Sequence, residues 1–385
     1  MARGSIRRHE RQGSIRYEVV VDLPIDPVTG KRRQRSKSFK TKREASVQLN
    51  AWQVEIDKGT AVDRSKQTVS EMMLYWLETY ARFQVRPKSY EDYESTIRNH
   101  IIPALGYVPI QKLTPDMVQL YYSQLMDRGC GARTILYAHQ RLSQALDQAL
   151  KMGLVSRNVT DLVKPPRIER KEMHTWTAYE AQKFMRTAKD CVYGPIWIVA
   201  LTTGMRRGEL LGLRWQDIDF DRKVLHVRQT VGVLHGKTEI KPPKTNSSRR
   251  EVPVPAEVLK ALREHRVKQN QCRLSLGEAW QDYDLVFASK VGTPIHPTNL
   301  TYNYERLVAK AGVPKIRIHD HRHTHVTLAI QAGANLKAVS KRVGHATTAI
   351  TMDIYTHVLP EQHTEVADKI GAVLFRTDLE ADQAM

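Results

Sequence analysis

The stretch Thr203-Gly204-Met205-Arg206-Arg207-Gly208-Glu209-Leu210-Leu211-Gly212-Leu213-Arg214-Trp215 joins a glycine turn to two adjacent arginines and an apolar helix start. Gly204 permits a tight turn, and Glu209 places a carboxylate where a helix N-terminus favours one. More than a hundred residues on come His319-Asp320-His321-Arg322-His323-Thr324, then Gly344-His345, then Tyr355. Two guanidinium groups, Arg206 and Arg322, stay charged and offer forked donors suited to a phosphodiester. His319 and Arg322 stand three apart, so on a helix they share one face. Tyr355 offers a phenol, a nucleophile that needs a base and an electropositive setting because its ordinary pKa is about 10.

Composition sets the wider frame. At 385 residues the chain exceeds one ordinary core, and two or three domains are expected. A formal net charge of +19 points to a polyanion, first of all nucleic acid. Membrane surfaces would need an anchor or an amphipathic basic helix, and neither is evident; no apolar run approaches a membrane span. The first residues, Met-Ala-Arg-Gly-Ser-Ile-Arg-Arg, lack a secretion signal's apolar stretch. Cys130, Cys191 and Cys272 fit neither a zinc spacing nor a disulfide framework, so a reducing compartment, a bacterial cytoplasm, is expected.

Three regions flank the motifs. Residues 1–66 read as a small β-sheet plus helix: a strand at Ile15–Val21, a turn at Asp26–Lys31, a second basic strand, then a helix from Lys42 to Lys58 closed by Gly59. The basic strand carries Arg32, Arg33, Arg35, Lys37 and Lys40, and a sheet face can enter a DNA groove. Residues 67–165 read as all-helical. Thr68–Glu71 forms a capping box, Thr114-Pro115-Asp116 starts a helix that Gly129 closes, and a long helix runs from Ala132 to Met152. Arg98, Arg133 and Arg141 are its candidate DNA contacts. A proline-bearing linker, 166–174, precedes a mainly α region with a small sheet over 175–375; residues 376–385 read as disordered. Strands are expected at Val224–Val231 and Glu251–Val254. The fold class is multidomain α+β.

The order and spacing of the motifs resemble the tyrosine recombinase (phage integrase) family. That resemblance implies DNA cutting and rejoining through a 3′-phosphotyrosine. Arg206, His319, Arg322, His345 and Tyr355 match the family's catalytic positions, with Tyr355 the nucleophile and His319 the candidate base. Lys244, within Pro242-Pro243-Lys244-Thr245, resembles the hairpin lysine that reaches the scissile site and can protonate the leaving 5′ oxygen. Residues 1–66 look like an arm-type DNA-binding domain and 67–165 like a core-binding domain. The resemblance further implies core and arm attachment sites on double-stranded DNA, a homotetramer, a directionality factor and a DNA-bending protein as partners, and a nucleoid-associated enzyme of a phage or mobile element that needs no cofactor.

Other readings stand beside it. A Xer-like resolvase would generally lack the front domain, and a catalytically silent DNA-binding regulator would not need the full residue set. The alternating His319, His321, His323 and His325 would line one face of a strand, where they could bind zinc; on a helix, His321 and His325 form the i, i+4 pair. That run would suit a zinc-dependent nuclease. Past Leu359-Pro360, Val366, Ile370, Val373 and Leu374 form an apolar stripe that would pack in cis or on a neighbouring protomer.

Overall fold

The computed structural model describes residues 4–11, 14–23, 33–57, 65–169, 173–243, 249–344 and 370–371, without the side chains of Arg11, Leu23 and Arg33. The chain divides into two compact units, Met1–Arg170 and Lys171–Met385.

The first unit opens with an antiparallel sheet in the order β1 (Gly4–Arg11), β2 (Ser14–Leu23), β3 (Arg33–Phe39). β1 is an addition to the expected strands. It alternates Ile6 with charged residues, and its polar composition hides the period of two. Helix α1 (Lys42–Asp57) covers one sheet face, burying Ala45 and Trp52 against Val19 and Val21. The expected turn at 26–31 and the Gly59 cap lie outside the described residues.

Helices follow. α2 (Val69–Trp76) starts at Thr68, whose side chain accepts from the Glu71 N–H while Glu71 reaches back to the Thr68 N–H. It continues through a π-helical turn, Leu77–Ala81, into α3 (Arg82–Gln84). α4 (Pro87–Thr96) likewise runs through Ile97–Ile101 into α5 (Ile102–Leu105). α6 (Pro115–Asp127) is capped by Thr114, and α7 (Ala132–Lys151) inserts Ile135, Leu142 and Leu146 into the core. Stripes of this kind are what bury a helix's apolar face.

The second unit contains α8 (Ala178–Ala188), α9 (Gly194–Thr203) and α10 (Arg207–Leu211), then β4 (Ile218–Asp219), β5 (Val224–Val227), β6 (Thr230–Leu234), β7 (Lys237–Lys241) and β8 (Arg250–Pro253). α11 (Ala256–Leu276), α12 (Pro297–Ala311), α13 (Asp320–Gln331) and α14 (Leu336–Val343) follow among the described residues. The single strand expected at Val224–Val231 is corrected: it is two strands in two sheets, β4-β5-β8 and β6-β7. The chain leaves the first ladder at Arg228, whose Nε lies 3.5 Å from the buried Asp217 carboxylate. The core gathers around α9, whose Ile196, Trp197, Val199 and Ala200 are buried.

Candidate active site

The site begins where α9 ends. Gly204 takes φ +64, a conformation that closes the helix and disfavours a side chain. A Cβ there would stand 2.8 Å from the His325 ring and 2.9 Å from Val343. The turn hands the chain to Arg206, which caps α10 in extended geometry. Glu209, one turn into that helix, is 4% exposed, yet it accepts four hydrogen bonds. Two come from Arg206, its N–H at 2.9 Å and its Nη1 at 2.9 Å. Two come from Arg250, Nη1 at 3.1 Å and Nη2 at 2.9 Å. Burial alone would raise the Glu209 pKa; the hydrogen bonds and charge of Arg250, joined by Arg206, outweigh it and hold the carboxyl below its ordinary value. Arg206 also donates from Nη2 to the Gly344 carbonyl at 2.9 Å.

α13 supplies the second half. His319 caps this helix, and Arg322 follows one turn later, 2% exposed, with Nη1 donating to the Gly204 carbonyl at 3.0 Å. Asp320 accepts three bonds from Arg317, from its backbone N–H, Nε and Nη2, which ties down the entry to the helix. His319 packs edge-on against His323, with ring centroids 5.5 Å apart. Burial, then the neighbouring Arg322, with Arg206 and Arg317 adding, lowers the His319 pKa, while Asp320 opposes. His319 is therefore neutral at pH 7 and able to accept a proton. Arg206 and His319 line one open cavity of about 670 Å³ together with Arg207, Thr301, Lys315 and Arg317. Arg322 is buried and does not line it; burial and then Arg206 push its guanidinium down to about 9, still a cation at neutral pH.

Arg206, His319 and Arg322 thus converge. Lys244, His345 and Tyr355 lie outside the described residues. Arg250 joins the site although no motif in the sequence marks it. A usable signal existed: residues two apart share a strand face. Arg250 therefore points with Val252 and Val254, which are 0% and 6% exposed.

The histidine run lies on a helix, which corrects the strand-face alternative. The i, i+4 pair is also engaged elsewhere. His321 sits in a box of Trp176, Phe184, Trp197 and Tyr304, at centroid distances of 4.9, 5.6, 5.5 and 4.9 Å. His325 Nδ1 meets the Leu201 carbonyl at 2.9 Å, and its Nε2 accepts from Arg342 Nε at 3.3 Å. Among the described residues no three His, Cys, Asp or Glu side chains group to hold a metal ion.

The candidate DNA contacts of the first unit are placed less uniformly. Arg32 and the side chain of Arg33 lie outside the described residues. The register pairs Lys37 with Val19 and Arg35 with Val21, so both cations share the face that α1 covers. Arg35 bonds Glu55 at 3.0 Å and stands 4.7 Å over the Trp52 ring; Lys37 stands 5.1 Å from the Phe39 ring. Arg35 is thus half-buried against α1 while Lys37 stays exposed, and the opposite face of the sheet is the open one. By the same register that face carries Arg7, His9, Arg16, Gln34, Ser36 and Ser38, with the carboxylates Glu18 and Asp22 among them. Lys40 and Arg133 are exposed. Arg98 bonds Glu94 at 2.8 Å, and Arg141 stacks 3.6 Å from the Tyr93 ring.

Family models match along the chain: an Arm DNA-binding domain at residues 5–56, a phage integrase N-terminal SAM-like domain at 68–126, and the phage integrase family at 175–362. A relative described as tyrosine recombinase XerC-like, from Caldanaerobacter subterraneus subsp. tengcongensis, is 31% identical over 94% of this chain and 97% of its own length. The ICEBs1 integrase of Bacillus subtilis is 28% identical over 93% of this chain and 97% of its own. Among solved structures, the Tn1549 transposon integrase in complex with a circular intermediate DNA shares the fold at TM-score 0.67 and 22% identity, covering 79% of this chain and 99% of that one. A lambda integrase tetramer bound to a Holliday junction does so at TM-score 0.57 and 18% identity, covering 91% of this chain and 94% of that one. By its match to these relatives over nearly its whole length, the chain belongs to the tyrosine recombinase (phage integrase) family.

Proposed function

We propose that the protein is a site-specific integrase in which Tyr355 cuts DNA. The phenol oxygen attacks the scissile phosphorus, a 3′-phosphotyrosine forms, and the bond to the 5′ oxygen breaks. His319 takes the phenol proton; Lys244 gives one to the leaving 5′ oxygen. Arg206, Arg322 and His345 donate to the non-bridging oxygens as their charge builds. A 5′ hydroxyl of a partner strand then attacks the phosphotyrosine, restores the phosphodiester and returns the proton to Tyr355. The phosphotyrosine conserves the bond energy, so the scheme needs neither ATP nor a metal. One observation carries this reading: Arg206 and His319 line one open cavity, and the buried Arg322, one turn beyond His319, holds the Gly204 carbonyl at the turn into Arg206.

Three working parts serve that chemistry: an arm domain over 1–66, a core-binding domain over 67–165 and, after the linker 166–174, a catalytic domain over 175–375. The arm domain would present the open face of its sheet, Arg7, Arg16, Gln34, Ser36 and Ser38, to an arm site, leaving Arg35 to brace α1 through Glu55 and Trp52. The arm-domain match favours an integrase over a resolvase, although one relative carries a XerC-like name. The lambda integrase tetramer on a Holliday junction supports assembly in fours on paired sites; a directionality factor and a DNA-bending protein would be further partners. Among the described residues no helix is long and apolar enough to cross a membrane. Such a DNA substrate would place the enzyme at a bacterial nucleoid. The stripe Val366, Ile370, Val373 and Leu374 would dock on a neighbouring protomer; of it only Ile370 is described, helical and 53% exposed. Deleting 361–385 should then abolish tetramers and strand exchange.

The test is covalent trapping on a library of nicked suicide sites with chelator present. Wild type should yield a protein–DNA adduct that Tyr355→Phe abolishes. An adduct that survives in the variant, or none from a bound wild type, would overturn the reading.

A further inference from the structure

We infer that Arg250 is a positioning residue for strand cleavage: it clamps Glu209 and the end of α14, and through them sets Arg206 and the chain that enters His345. This rests on the cleavage reading above. Arg250 opens β8, and its side chain is 7% exposed. Nη1 and Nη2 grip the two Glu209 oxygens in a fork at 3.1 and 2.9 Å, and Nε donates to the Arg342 carbonyl at 2.8 Å. The same Glu209 oxygens hold the Arg206 N–H and Nη1. One carboxylate therefore fixes the rotamer of a guanidinium that faces the cavity, and Arg250 fixes the carboxylate.

The second grip acts on the other wall. Gly344 adopts φ +70, and a Cβ there would stand 3.1 Å from Arg250 Cδ and 3.3 Å from its Nε and Nη1. The residue before His345 is thus seated on the Arg250 side chain, while its carbonyl accepts from Arg206. Arg342, whose carbonyl Arg250 holds, donates from Nη2 to Thr202 O at 2.9 Å. Arg250 therefore links the strand after the Lys244 segment, the Arg206 turn and the approach to His345. A lysine would keep the charge but could not span these acceptors, because it lacks the planar fork.

The experiment uses the full chain with Arg250→Lys, Arg250→Gln, Glu209→Gln and the double variant R250Q/E209Q. Adduct formation is timed in a single turnover at saturating suicide DNA, and DNA affinity is measured separately. Both Arg250 variants should lose about 10–100-fold in rate while Kd moves by less than about threefold. The double variant should be no slower than the slower single, since residues acting through one another are non-additive. Rates within about threefold of wild type in R250K or R250Q, parallel losses of rate and affinity, or additive losses would each overturn the inference. A second measurement needs no DNA. Amide exchange across residues 336–344 should speed up by about tenfold or more in R250K, judged at a denaturant-free temperature where the variant is folded. Unchanged exchange would overturn the clamp even if wild type formed no adduct, a result that would instead defeat the cleavage reading.

Discussion

The two ends of the chain use positive charge in opposite ways. On the open face of the arm sheet, Arg7 and Arg16 are exposed and lie among serines, a glutamine, a histidine and two carboxylates. In the catalytic unit, Arg322 and Arg250 are nearly sealed, and their guanidinium groups are locked onto carbonyls and one carboxylate. The first arrangement supplies charge that salt can screen. The second spends much of its hydrogen-bonding capacity on fixing direction. Preorganised donors of that kind cost little reorganisation when charge develops on a phosphate. Identical side chains thus serve attraction in one place and geometry in the other.

Arg322→Lys should break the contrast most sharply if it is false. The cation survives and the fork is lost, so cleavage should fall about 10²–10³-fold, with DNA affinity within about threefold. Single-turnover trapping beside a binding titration checks this. If affinity falls as far as rate, the buried arginine works by charge alone. Gly204→Ala probes the backbone that Arg322 holds. Its φ of +64 and the close approach of His325 and Val343 should cost roughly 2–3 kcal/mol of stability, read from urea unfolding. An unchanged midpoint would show that the turn accommodates a side chain and that its tight packing does not matter.

Acid should reveal how dry the catalytic interior is. Burial pushes His321 down to about 3, and burial with Arg342 pushes His325 down to about 4. The unfolded chain takes up these protons near pH 6.5 and the folded one cannot, so the unfolded state binds more protons in between. Stability is therefore full above about pH 6.5 and declines as pH falls toward the folded values. At pH 5 the loss from His321 is roughly 2 kcal/mol, and His321→Phe should remove it, since a phenyl ring suits the box of Trp176, Phe184, Trp197 and Tyr304. Urea midpoints at pH 7 and pH 5 for both proteins decide the matter: an equal drop in each would mean that His321 is not the buried neutral group described.

These cases also separate what could be read from the sequence from what could not. The capping box at Thr68 was legible because both partners sit within four residues. Arg206, His319 and Arg322 were legible because family spacing carries chemistry across more than a hundred residues. Arg250 was hidden by composition: Arg249, Arg250 and Lys241 look alike until the strand's period of two assigns one of them to the buried side. His321 stood out only as a member of the histidine run; its surroundings are four aromatic rings brought from other parts of the chain. Tertiary neighbours of that kind leave no local mark. The faces of the arm sheet were hidden for a different reason. A count of basic residues along β3 says nothing about faces until the pairing with Val19 and Val21 is known.

The two faces of that sheet make the smallest but most discriminating prediction. If the open face meets DNA, Arg7→Ala and Arg16→Ala should each weaken arm-site binding by about three- to tenfold and flatten the salt dependence by about one counterion, with unfolding unchanged. Arg35→Ala should do the reverse. It removes the 3.0 Å bond to Glu55 and the stacking over Trp52, so the arm domain should lose about 1 kcal/mol while the salt slope stays within error. Titrations of an arm site at several salt concentrations, paired with thermal unfolding, separate the two. A lower salt slope in Arg35→Ala, with Arg7 and Arg16 silent, would turn the sheet over. The helix-covered edge would then be the DNA contact, and the open face would hold its two exposed arginines without using their charge.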